Sequence, residues 1–369
     1  MQKIVIKIGS SALTQGTTRL SLRFMLSLAQ QIAELREQGN QVILISSGAI
    51  AAGKELLHSS KESSTIPTKQ MLASVGQAKL MQSWSELFAL FDINVGQLLL
   101  TRDDFSDRKR YLNARDTFSS LLLHRILPIV NENDTIATKE IRVGDNDNLA
   151  ALVATLIAAD MMVLLTDQEG LYTSDPRFNT SAELIKEVRH IDQKIFSLAG
   201  GSGSSLGTGG MFTKIEAAHI AVQCGTKTVI ASSNRPNVLK EIVDGEAVGT
   251  LFLPETSWLE SRKRWLLSDK RQGALCVDAG AASSIQTKGS SLLPSGITNT
   301  IQNFERGATV QIVDPSGQTI AVGTTNYGSN EIAKLIGKHS NRIEELLGYS
   351  YGPEIVHRTD MTRIKCKAE

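Results

Sequence analysis

Six short apolar runs, at residues 3–8, 41–45, 95–100, 126–130, 161–165 and 227–231, recur along the chain with helix-like stretches between them. Val42-Ile43-Leu44-Ile45 is apolar at every position instead of every second one, as in a strand buried on both faces. Residues 22–38, 68–91, 149–159 and 211–223 read as helices. Strand and helix in alternation confine the chain to an α/β fold, a mostly parallel sheet sandwiched by helices. In such a sheet ligands gather outside the carboxyl ends of the strands. The residues that follow each apolar run are therefore the ones to read for function.

The pattern changes after Leu253. Arg262-Lys263-Arg264 and Lys270-Arg271 make a basic stretch, with Trp258 and Trp265 beside it. Beyond it come short β-rich pieces set off by turn signals such as Leu293-Pro294-Ser295-Gly296 and Asp314-Pro315-Ser316-Gly317, interrupted by one helical stretch at 329–338. This reads as a separate small β-barrel-like domain. The expected division is a catalytic domain over 1–253, a basic connector over 254–272, the β domain over 273–355 and a tail over 356–369. A length of 369 residues suits more than one domain.

Composition narrows the classes of function. Lys and Arg number 39 and Asp and Glu 38, a net charge of +1, which argues against a surface built for nucleic acid or anionic membrane. Apolar residues at 41% and charged residues at 21% argue against global disorder. Cys224, Cys276 and Cys366 are far apart and include no C-x-x-C pair, which disfavours a disulfide framework or zinc ribbon and fits a reducing compartment. The apolar start, Ile4-Val5-Ile6, is broken by Lys7, too short for a signal-peptide core, and no window is apolar enough to span a membrane. A cytoplasmic protein is expected.

Five segments carry chemistry. Lys7-Ile8-Gly9-Ser10-Ser11 places a lysine inside an apolar strand, which is costly unless it meets an anion or snorkels to water. Ser46-Ser47-Gly48-Ala49 opens a helix directly after a strand; it is either an anion-binding turn or a serine cap with a packing glycine. Asn131-Glu132-Asn133-Asp134 and Gly144-Asp145-Asn146-Asp147-Asn148 cluster acids and amides. Carboxylates suit an ammonium and amides a carboxylate, so these segments fit an amino acid. The Asp-rich run lacks the spacing of a calcium loop, and a helix cap alone does not account for all of its polar residues. Thr166 and Asp167 end another strand, and residues 206–214 form a glycine-rich loop with Lys214 feeding a helix, able to aim backbone donors at phosphates. This loop is neither a Walker A nor a dinucleotide fingerprint. No G-x-S-x-G, H-E-x-x-H or H-R-D occurs, and the six histidines are scattered.

Taken in order, these strings resemble the amino acid kinase family: Val5-Ile6-Lys7-Ile8-Gly9-Ser10, Ser46-Ser47-Gly48-Ala49-Ile50-Ala51-Ala52-Gly53, Gly96-Gln97-Leu98-Leu99-Leu100-Thr101, Asn113-Ala114-Arg115-Asp116-Thr117, Asn131-Glu132-Asn133-Asp134, Gly144-Asp145-Asn146-Asp147-Asn148-Leu149, Leu165-Thr166-Asp167 and Gly207-Thr208-Gly209-Gly210-Met211 with Lys214. Residues 289–296 and Leu347-Gly348-Tyr349 resemble the PUA domain appended to many members. The resemblance covers nearly the whole chain. It is closest to the branch that phosphorylates the γ-carboxylate of L-glutamate with ATP, the first step of proline biosynthesis.

The resemblance implies that Lys7 and Lys214 neutralise the transferring phosphoryl group, with Asp147 organising both. It assigns glutamate to Ser47, Gly48, Asn131, Asp134 and Asn146. ATP falls to Lys7, Thr166, Asp167, Thr208, Gly209, Gly210, Met211, Phe212, Thr213 and Lys214, with Mg2+ on the ATP phosphates and no protein metal ligand. It also implies a homo-oligomer, a tetramer; it leaves open whether proline is a feedback inhibitor, and makes a glutamyl-phosphate reductase a plausible downstream partner. Rival substrates within the family are aspartate, N-acetylglutamate, carbamate and UMP; the Asn131–Asp134 cluster, suited to a free ammonium, favours glutamate. A PUA domain also raises RNA binding. From Gly273 onward, however, Lys and Arg number nine and so do Asp and Glu, which is not the basic footprint RNA requires.

Overall fold

Strands form where the apolar runs predict them. In the computed structural model, which describes residues 1–58, 65–137, 145–200 and 210–364, the first 252 residues supply β1 (Lys3–Ile8), α1 (Ser10–Thr14), α2 (Leu22–Glu37), β2 (Gln41–Ser46), α3 (Ala49–Leu56), α4 (Ile66–Ala89), β3 (Val95–Leu100), α5 (Arg102–Ser106), α6 (Arg108–Leu123), β4 (Leu127–Glu132), α7 (Asp145–Leu156), β5 (Met161–Thr166), β6 (Glu187–Val188), α8 (Gln193–Leu198), α9 (Met211–Gln223), β7 (Lys227–Ser232), α10 (Val238–Val243) and β8 (Thr250–Phe252). The eight strands lie in the order β3-β4-β2-β1-β5-β7-β8-β6. Every pairing is parallel except β7 with β8. Each central strand is buried along its length, β5 at all of its positions, which explains why the apolar pattern does not alternate.

Register aligns the functional strand ends. Ile8 pairs with Ser46 and with Leu165, Leu99 with Asn131, and Thr166 with Ser232. Lys7, Ser46, Asn131 and Thr166 therefore share one edge of the sheet.

Two glycines set the distance between α3 and α4. A Cβ on Gly76 would stand 1.8 Å from the Ala49 carbonyl oxygen, and one on Gly53 would stand 2.0 Å from that of Leu72. The helices touch backbone to backbone, which only residues without side chains permit. Behind them Leu80, Trp84 and Phe88 are buried from α4, joining Ile4, Ile6, Ile8 and Leu44 in the core.

Contacts divide the chain into two units, one of Met1–Phe105 with Thr117–Trp258, the other of Ser106–Asp116 with Leu259–Glu369. The longer segment of the second unit starts within α11 (Trp258–Ser268) and holds β9 (Gly273–Val277), α12 (Ala279–Ser283), β10 (Ile297–Ile301), β11 (Thr309–Val313), β12 (Thr319–Thr324), α13 (Ser329–Leu335), α14 (Ile343–Leu347) and β13 (Met361–Arg363). Its own five-stranded sheet runs β10-β9-β11-β12-β13 around a core that includes Leu275, Val310, Ile312, Ile320 and Tyr327. Within this unit Arg115 forms an ion pair with Asp360 at 2.7 Å, and Arg108 Nε donates to the Gly307 carbonyl at 2.8 Å.

Candidate active site

Two lysines converge on one buried carboxylate at the sheet edge. Lys7 Nζ lies 2.6 Å from Asp147 Oδ1, and Lys214 Nζ lies 3.2 Å from Asp147 Oδ2. Thr213 Oγ donates to the same Oδ2 at 2.8 Å. Lys7 is 4% exposed, Lys214 5% and Asp147 0%. Burial alone would raise the Asp147 pKa; the charges of Lys7 and Lys214, with hydrogen bonds from Lys7 and Thr213, outweigh it and hold the carboxyl below its ordinary value. Lys7 goes the other way. Burial, aided by the charge of Lys214, pushes its pKa below the ordinary lysine value despite the pull of Asp147. An anion arriving beside Lys7 would restore what burial has taken from its charge.

The chain brings these groups together from far apart in sequence. Lys7 belongs to β1, Asp147 stands in the first turn of α7, and Lys214 stands in the first turn of α9. The expected start of the α7 helix at 149 is moved back to Asp145, so Asn146 and Asp147 are helical residues and not a preceding loop. Acidic and amide side chains are favoured at that end because unsatisfied backbone N–H groups and the helix dipole make it positive.

Beside the lysines a chain of amides and hydroxyls lines the ends of β2 and β4. Asn146 Nδ2 donates to Ser47 Oγ at 2.8 Å and to Asn131 Oδ1 at 2.9 Å. Asn131 Nδ2 in turn donates to Gln77 Oε1 at 2.8 Å. Asn146 Oδ1 is buried and has no partner among the described residues. Ser47 is tied to β1 by its N–H, which donates to the Ile8 carbonyl at 3.1 Å. Gly48 caps α3 at φ +110°, a left-handed conformation that a side chain would strain. Trp84 Nε1 donates to Ser46 Oγ at 2.9 Å, fixing the strand end from behind. Asp134 is half-buried in the turn after β4, where the Asn133 carbonyl accepts from the Ile136 and Ala137 N–H groups.

The region expected for a nucleotide is partly described. Thr166 is buried at the end of β5 and its Oγ donates to Asp167 Oδ1 at 3.0 Å, while Asp167 is exposed. Gly210 caps α9, and Met211, Phe212 and Thr213 follow half-buried in its first turn. Phe212 packs on Phe196 with ring centroids 5.7 Å apart. Thr208 and Gly209 lie outside the described residues.

The amino acid kinase family model matches residues 2–232. The chain belongs to the amino acid kinase family. The PUA domain model matches residues 273–347 of this amino acid kinase. It is 51% identical to the glutamate 5-kinase of Aliivibrio salmonicida over 98% of this chain and 99% of that one. Its identity to the glutamate 5-kinase of Shewanella oneidensis is 51%, over 98% of this chain and 97% of that one. For the glutamate 5-kinase of Escherichia coli it is 49%, over 98% of each chain. Among the described residues no helix is long and apolar enough to cross a membrane.

Sequence reading of this kinase missed Gln77, Trp84 and the glycine contact. One signal was present. In α4 the buried stripe runs through Ala73, Gly76, Leu80 and Trp84, and Gln77 falls on it, one turn from Ala73 and from Leu80. A polar residue on an apolar helix face needs a partner, and Asn131 supplies it.

Proposed function

We propose that this chain transfers the γ-phosphoryl group of ATP to the γ-carboxylate of L-glutamate, giving L-glutamyl 5-phosphate and ADP as the first step of proline biosynthesis from glutamate. The observation that carries this reading is the placement, on one sheet edge, of the Lys7-Asp147-Lys214 cluster beside the Ser47-Asn146-Asn131 network. Full-length similarity to enzymes named glutamate 5-kinase supports it.

The chemistry needs little from the protein beyond position and charge. The γ-carboxylate is already a nucleophile at neutral pH, so no general base is required. One carboxylate oxygen forms the new bond to the γ-phosphorus as the bond from that phosphorus to the bridging oxygen breaks, and ADP leaves with that oxygen's electron pair. Lys7 and Lys214 offset the charge on the phosphoryl oxygens, and Asp147 holds both ammonium groups so that neither must reorganise during the step. Ser47, Gly48, Asn131, Asp134 and Asn146 hold glutamate. Thr166, Asp167 and residues 208–214 hold ATP. Mg2+ fits this site as an ion carried on the nucleotide. Asp147 already has its oxygens engaged by Lys7, Lys214 and Thr213, and lysines are not metal ligands, so the phosphate oxygens are its donors. When bound it neutralises phosphate charge.

Residues 1–253 act as the catalytic domain, 254–272 as its connector and 273–355 as the PUA domain. The enzyme works in the cytoplasm as a homo-oligomer, a tetramer, is inhibited by proline, and hands its labile acyl phosphate to a glutamyl-phosphate reductase. Hydroxylamine trapping tests the reaction. With ATP and Mg2+, glutamate is expected to yield hydroxamate while aspartate and N-acetylglutamate yield little. Hydroxamate from aspartate but not from glutamate would sink the assignment.

The lowered pKa of Lys7 predicts an alkaline limit to activity. Lys7 must be protonated to face phosphate, and rising pH removes that proton below the ordinary lysine value. The profile of kcat/KM for ATP, which reports the free enzyme, is expected to fall on its alkaline side below that value. The profile of kcat should fall at higher pH, because bound phosphate stabilises the cation. An alkaline limb of kcat/KM at or above the ordinary lysine value would show that Lys7 is not the group titrating.

A further inference from the structure

We infer that Gln77 is a positioning residue that sets the direction of the amide chain at the substrate side, so that Asn146 presents an acceptor, its Oδ1, to the α-ammonium of glutamate. This inference rests on the glutamate reading above.

A chain of primary amides can run in either of two directions. In one, each amide points its oxygen toward the previous donor; in the other, every amide is turned over and donors and acceptors exchange places. Here Asn131 gives its Nδ2 to Gln77 Oε1, which leaves its Oδ1 to accept from Asn146. Asn146 engages Nδ2 twice, toward Asn131 and Ser47. Its Oδ1 remains buried with no partner among the described residues. A buried acceptor left without a donor costs free energy unless a ligand satisfies it. An ammonium supplies three donors, and the half-buried Asp134 follows Asn131 by three residues in the chain. In the reversed chain Asn146 would turn an NH2 group to the ligand, and donor would meet donor.

Ser47 cannot choose between these directions, because a hydroxyl rotates to give or to accept. Gln77 ends the chain from α4, and its Oε1 is the acceptor that commits Asn131 Nδ2 to donate away from Asn146. The same helix face reaches the substrate turn one heptad earlier: Gln70 Nε2 donates to the Thr135 carbonyl at 3.3 Å and to that of Ala137 at 3.4 Å. Helix α4 thus grips the segment containing Asn131 and Asp134 at two places.

Gln77→Glu keeps an acceptor for Asn131 Nδ2 and permits only the observed direction; Gln77→Met keeps the length and removes the acceptor. Steady-state hydroxamate kinetics on the full chain should show the glutamate KM of Gln77→Met raised at least about 10-fold. Its ATP KM should stay within about 3-fold of the parent, and Gln77→Glu should stay within about 3-fold of the parent for both substrates. A Gln77→Met variant whose glutamate KM stays within 3-fold of the parent overturns the inference. So does a Gln77→Glu variant that loses as much as Gln77→Met, or an ATP KM that rises equally. A parent enzyme that makes no hydroxamate from glutamate is a different result: it overturns the substrate reading, and the inference with it.

Discussion

Asp147→Asn is expected to lower stability by roughly 3–5 kcal/mol at neutral pH and to reduce kcat at least about 100-fold. The substitution is nearly isosteric but removes the carboxylate on which Lys7 and Lys214 both lean inside the protein. Breaking a buried pair from one side costs more than the pair contributes, because the remaining charges keep their desolvation penalty. The pH dependence follows in sign. Lys7 already has a lowered pKa when folded, and loss of Asp147 lowers it further. The unfolded chain then binds more protons than the folded one between that lowered value and the ordinary lysine pKa, so stability rises with pH across this window. The deficit of Asp147→Asn should therefore shrink as pH increases toward 10, which denaturant titrations at several pH values would reveal. A constant deficit would mean that Lys7 is not the source. Lys7→Ala and Lys214→Ala are each expected to lose about 100-fold or more in kcat, but with smaller changes in stability, since each removes a cation and leaves Asp147 a partner. Turnover near the parent value in either would remove that lysine from the mechanism.

Gly76→Ala is the second large effect expected. Two contributions oppose each other. Alanine is the better helix former by about 1 kcal/mol. Its Cβ, however, would stand 1.8 Å from the Ala49 carbonyl oxygen and 2.3 Å from the Gly53 nitrogen. Backbone atoms cannot rotate away, so α3 and α4 must separate, and overpacking of this kind costs about 1–3 kcal/mol or more. The clash wins. Because Ala49 opens α3 directly after Gly48, the displacement passes into Ser47 and Gly48, and the glutamate KM should rise more than that of ATP. Gly53→Ala meets the Leu72 carbonyl across the same contact. The double variant should cost less than the two single losses together, since helices parted once accommodate both methyl groups. A Gly76→Ala protein that unfolds at the parent denaturant concentration would show that the helices are not held at this separation.

Much of this was legible beforehand for a local reason. Short apolar runs bounded by polar residues read as strands, and the six predicted strands stand within a residue or two of their places, β1 and β3 at their predicted bounds. The polar segments at their ends were legible because residue type limits role: a lysine within a buried strand needs an anion, and amides clustered with acids suit an amino acid. Helix bounds were less legible. The Asp145-Asn146-Asp147-Asn148 segment looks like a turn from its composition and is instead the first turn of α7, since the residues that favour turns also favour helix starts.

The sequence by itself determined the parallel sheet, the strand ends that carry function and the residue types available there, because burial pattern and side-chain chemistry are properties of short segments. Only the tertiary structure decided which of those residues meet. Asp147 lies 67 residues from Lys214, and Asn131 lies 54 from Gln77. No local preference encodes either pairing; the parallel register and the Gly53–Gly76 contact bring them within hydrogen-bond reach. A contact between distant segments is set by packing of the whole core, so Gln77 gains a function only once α4 has been placed.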